Sequence, residues 1–87
     1  MNADPCTALA LCTVPFGPSK QTETLLFHML AGANAVLSDA GCALVGGHTC
    51  EAAECALGFT ITGTVRIDDI LPKGPLLPNH VLILTKP

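Results

Sequence analysis

The chain has no Trp and no Tyr, and only three Phe among 87 residues. Its four basic residues, Lys20, Arg66, Lys73 and Lys86, are scattered and form no cluster. A protein that follows a phosphate backbone needs a basic stripe, and one that grips single strands also needs aromatic stacking platforms. Neither is present, so nucleic acid is not an expected partner. No apolar run reaches the ~18–20 residues needed to span a bilayer, so no membrane partner is expected either. The start, Met1-Asn-Ala-Asp-Pro5, lacks the cationic region and apolar stretch of a secretion signal. Charge as a whole is scarce: 13% of residues are charged and 49% hydrophobic, with a net charge of −3. That is about half the usual charged share and the reverse of a disordered composition. A chain this short buries only roughly 60–65% of its unfolded surface. Low charge and small size together predict that another domain or subunit covers part of it.

Cysteine is plentiful but unpatterned, at Cys6, Cys12, Cys42, Cys50 and Cys55. An odd count at irregular spacing is not a disulfide framework. Cys12, Cys42 and Cys55 lie in apolar runs. All five read as reduced thiols of a cytoplasmic protein, serving as small packing residues.

The run Thr7–Val14 is apolar on both faces and ends at Pro15-Phe-Gly-Pro18, which predicts a buried strand and a loop. Leu26, Met29, Leu30, Ala33, Val36, Leu37 and Ala40 then recur every three or four residues, the apolar face of an amphipathic helix. Ser19 or Thr22 suits its N-cap, Glu23 its first turn and Gly41 its C′ position. Gly32 weakens its middle and suggests close packing against a neighbour. Cys42–Val45 predicts a short strand running into a glycine turn. Leu57, Phe59, Ile61, Gly63 and Val65 alternate with Gly58, Thr60, Thr62 and Thr64, a clear period of two. Arg66–Leu71 reads as a charged turn, and Pro72, Gly74, Pro75 and Pro78 as irregular chain. His80–Thr85 reads as a last buried strand. One helix against four strands is an α/β or α+β layer. A chain that stops directly after a strand, with no cap on its edge, also reads as a piece of a longer protein.

The best local candidate for chemistry is Val45-Gly-Gly-His-Thr49. Paired glycines after a strand allow a turn and close approach of the backbone to a ligand. Successive N–H groups there can form an anion nest, to which Thr49 adds a hydroxyl. The plain alternative is a tight turn between strands. The spacing is neither a Walker loop nor a dinucleotide fingerprint. His48, Cys50 and Cys55 are donors suited to zinc, but no C-x-x-C pair and no fourth ligand accompany them. His28 and His80 read as surface or structural residues. Cys6 and Cys12 have no neighbouring base to lower a thiol pKa.

Three segments carry a family resemblance: Ala40-Gly-Cys-Ala-Leu-Val-Gly-Gly-His-Thr49, Leu57-Gly-Phe-Thr-Ile-Thr-Gly-Thr-Val65 and Leu82-Ile-Leu-Thr-Lys-Pro87. In this order and spacing, with Ala3–Leu11 before them, they resemble selenophosphate synthetase (selenide, water dikinase). The wider superfamily is that of the aminoimidazole ribonucleotide synthetases, which typically carry Glu where this chain has His48 and lack the Thr-Lys-Pro ending. Glu51-Ala-Ala-Glu54 departs from the family's commonest Asp-x-Pro-Glu-Pro form.

The resemblance implies that residues 1–87 are part of an N-terminal ATP-binding domain: a mixed sheet with one long helix, its strands pairing across a dimer. Residues 80–87 would form the last strand, leading to a C-terminal domain. It implies ATP and Mg²⁺ as cofactors, a homodimer, and a site where Gly47, His48 and Thr49 contact nucleotide held mainly by the partner chain. The reaction would convert selenide and ATP to selenophosphate, AMP and phosphate. The family's reactive Cys or selenocysteine and its Mg²⁺-holding aspartates precede this segment, so no residue here is expected to be catalytic or to bind the metal. Two alternatives stand beside this reading: another ATP-dependent synthetase of the superfamily, and a non-enzymatic metal-binding or dimerisation module.

Overall fold

The computed structural model describes residues 1–86. Strand β1 is Asp4–Pro15, helix α1 Ser19–Asp39, strand β2 Ala43–Ala52 and strand β3 Ala56–Thr64, followed by a 3₁₀ turn at Ile67–Asp69. The sheet order is β2-β1-β3. β1 and β2 run parallel with α1 as the crossover between them, and β3 lies antiparallel on the other side of β1. This is the expected α/β class, a mixed sheet with one helix.

Alternation along β1 sets the core. Ala8, Ala10, Cys12 and Val14 are buried on the face that α1 covers, whereas Leu9 and Leu11 are 47% and 54% exposed on the other. The expected burial on both faces is therefore realised on one. Small side chains at 8, 10 and 12 let the helix lie close, and Leu37, Cys42 and Leu44 pack around Ala8. Among the described residues six apolar side chains are buried, and the radius of gyration is 17.1 Å. A compact chain of this length would measure about 12 Å. Shape and composition agree that the described residues do not close a core alone.

The helix starts without a side-chain cap. Pro18 occupies the N-cap position, and its carbonyl accepts from Gln21 and Thr22 N–H at 2.9 and 3.2 Å. Ser19 already lies inside the helix, Thr22 Oγ1 turns back to the Pro18 carbonyl, and Glu23 falls beyond the first turn. The helix end matches expectation. Gly41 has φ +68° and donates to Ser38, while Cys42 N–H donates to Leu37 O at 2.8 Å. This is a Schellman closure, sealed by the buried contact between Leu37 and Cys42 that such ends favour. Gly32 is not a packing notch, since a Cβ there would meet nothing within 4 Å.

Two further expectations are corrected. The glycine turn at Val45–Thr49 is absent, because β2 runs straight through it, paired to β1. The ladder absorbs one extra residue, Val45, as a bulge between the pairs Ala8–Leu44 and Leu9–Gly46. Tertiary pairing overrides the local turn signal of two glycines. The last strand expected from His80 is also absent. Val81, Leu82, Ile83 and Leu84 are 78–86% exposed and unpaired. A strand exists only with a partner to complete its hydrogen bonds, and this run reaches neither free edge of the sheet. Pro87 lies outside the described residues.

Candidate functional site

The three residues of interest sit on β2, the edge strand beside β1. Gly47 pairs with Ala10, His48 with Leu11 and Thr49 with Cys12. Paired residues share a face, so consecutive residues of β2 point to opposite sides. His48 emerges on the open face, in a shallow depression with Leu9, Leu11 and Thr60. Gly47 and Thr49 face the helix side and border a groove between β2 and α1, floored by Ala10 and Cys12 and walled by Leu30. His48 borders this groove as well, so all three residues meet there, although the pairing sends the His48 and Thr49 side chains to opposite faces. The structure does not build the nest of successive N–H groups, because a strand turns alternate amides to opposite edges. What β2 offers instead is an unpaired outer edge, whose N–H and C=O groups are free for a ligand or another strand.

Gly47 is required by proximity. A Cβ there would collide with the Ala10 backbone, at its carbonyl oxygen, carbonyl carbon and nitrogen. At Gly46 a Cβ would meet only the tip of Leu9, at 3.4 Å. The first constraint is backbone against backbone and the second is a flexible side chain, so the two glycines are not equivalent. The close approach at Gly47 fixes β2 against β1 one residue before His48.

The surroundings carry little charge. Among the described residues, the His48 side chain makes no hydrogen bond or ion pair. Glu51 pairs with Val14 on the helix side, near Glu23 and the start of α1, and so faces away from His48. Glu54 sits in the β2–β3 connection, where its carbonyl accepts from Thr13 Oγ1 at 2.8 Å. That bond ties the connection to the centre of the sheet. Arg66 is taken up by Asp69 at 3.4 Å. His28 lies edge-on to Phe27, and His80 Nδ1 accepts from the Leu77 N–H in a local turn.

Among the described residues, no three His, Cys, Asp or Glu side chains gather as metal ligands. Cys50 Sγ lies 3.9 Å from the Cys12 carbonyl, and Cys55 is in the connection beyond β2. All five thiols are free.

Leu11 and Thr60 flank His48 and were not singled out by the sequence. The period of two in β3 does put Thr60 on the polar face, but its nearness to His48 needs the order β2-β1-β3, for which no local signal exists. The free outer edge of β3 is a second feature of this kind. Nine residues, Ala56–Thr64, present it without a charge or a Pro, and all nine are exposed.

The family described as AIR synthase related protein, N-terminal domain, matches residues 1–65. A selenide, water dikinase of Trichlorobacter lovleyi is 42% identical over 87 residues, which is 100% of this chain and 25% of that protein. Proteins of the same name from Pelobacter propionicus and Nitratidesulfovibrio vulgaris are 37% and 34% identical, again over 100% of this chain and 24% of theirs. The chain spans about a quarter of the length of the curated relatives it matches.

Proposed function

Because the chain belongs to the AIR synthase related family, whose N-terminal domain matches residues 1–65, we propose that it is a stretch of a selenide, water dikinase and lends residues to that enzyme's ATP site. The parent reaction would use ATP and selenide and give selenophosphate, AMP and phosphate. One observation carries this reading: similarity to proteins of that name extends along all 87 residues, including those beyond the matched domain. A second reading, a related synthetase of another substrate, rests on the domain match alone. His48 and the run Thr85-Lys86-Pro87 favour the dikinase.

Within that reading, His48 on the open face is the group that hydrogen-bonds the nucleotide, and Gly47 holds the strand that presents it. Thr49 faces the helix side and contributes there. These residues fit part of a nucleotide and not the whole. They supply an imidazole, a hydroxyl and unpaired edge amides, with no positive charge beside them in the sequence. Mg²⁺ takes carboxylate and phosphate oxygens. The carboxylate nearest in sequence, Glu51, shares the helix side with Thr49 and faces away from His48; one carboxylate with no second acid gathered beside it does not fit the metal, and its ligands belong to other parts of the protein.

The open face of β1 carries no charge beyond Asp4 at its start, and the free edge of β3 carries none. A second copy of the chain is the proposed cover, which makes the protein a homodimer with the nucleotide close to where the subunits meet. Residues 80–87 then lead toward a second domain, and the five free thiols suit a reducing cytoplasm. The test is product analysis of the full-length parent supplied with Mg-ATP. AMP and phosphate formed only when selenide is added are expected. ATP turnover independent of selenide would overturn the assignment.

A further inference from the structure

We draw no further inference here: the strongest candidate, the exposed apolar run Val81–Leu84 beyond the sheet, carries nothing because nothing in the structure shows what covers it.

Discussion

Gly47→Ala is expected to part β1 from β2, while Gly46→Ala is not. The new methyl at position 47 would occupy the space of the Ala10 carbonyl, and backbone cannot rotate away as a side chain can. Relief requires the strands to separate around the Gly47–Ala10 pair. Overpacking of this kind costs ~1–3 kcal/mol, and one lost ladder hydrogen bond adds ~0.5–1.5 kcal/mol. A local loss of about 2–4 kcal/mol follows, large against the ~5–15 kcal/mol that holds a typical domain. The direct assay is native-state hydrogen exchange in the full-length protein, read at the amides of β1 and β2. Protection there should fall about 30- to 1,000-fold, since each ~1.4 kcal/mol is tenfold. Gly46→Ala meets only the end of Leu9, at 3.4 Å, and should change protection by less than about tenfold. Equal effects at the two positions would refute the close approach, and with it the account of how β2 is held before His48.

Three further outcomes are expected. Gly41→Ala forces a side chain into the left-handed conformation at φ +68° and should lower stability by ~1–2 kcal/mol, read as an earlier urea midpoint; an unchanged midpoint would contradict the Schellman closure. Sedimentation of the full-length protein should give a dimer or larger at high micromolar concentration, because the uncharged β3 edge needs a cover; a well-folded monomer would count against it. Calorimetric titration of the 87 residues alone with Mg-ATP should give a millimolar Kd at best. A polyphosphate of about four negative charges finds few neutral hydrogen bonds and, among the described residues, no metal-holding cluster, so a low-micromolar value would mean that the site lies largely within this chain.

Much of the architecture was legible because its causes are local. The period of two from Leu57 to Val65 becomes β3, the helical spacing from Leu26 to Ala40 becomes α1, and Gly41 ends the helix as its position implies. The misreadings share one origin. Gly46-Gly47 looks like a turn in isolation, yet a parallel strand more than thirty residues earlier keeps it extended. His80–Thr85 looks like a strand in isolation, yet it has no partner among the described residues. Thr7–Val14 is apolar on both sides, but a single helix covers only one of them. The site follows the same rule. Its residue types were legible, but the opposite directions of the His48 and Thr49 side chains depend on β2 being a strand.

The central claim is that this strand presents His48 to ATP in a selenide, water dikinase. The most direct measurement compares nucleotide affinity and unfolding midpoint for the full-length parent and its His48→Ala variant. The His48 side chain is exposed and makes no hydrogen bond among the described residues, so the stability read from the midpoint should stay within about 0.5 kcal/mol of the parent's. Losing one hydrogen bond to the nucleotide, worth ~0.5–1.5 kcal/mol, should weaken ATP binding roughly three- to tenfold. Unchanged ATP affinity together with a large drop in the midpoint would contradict the claim and leave His48 a structural residue of the sheet.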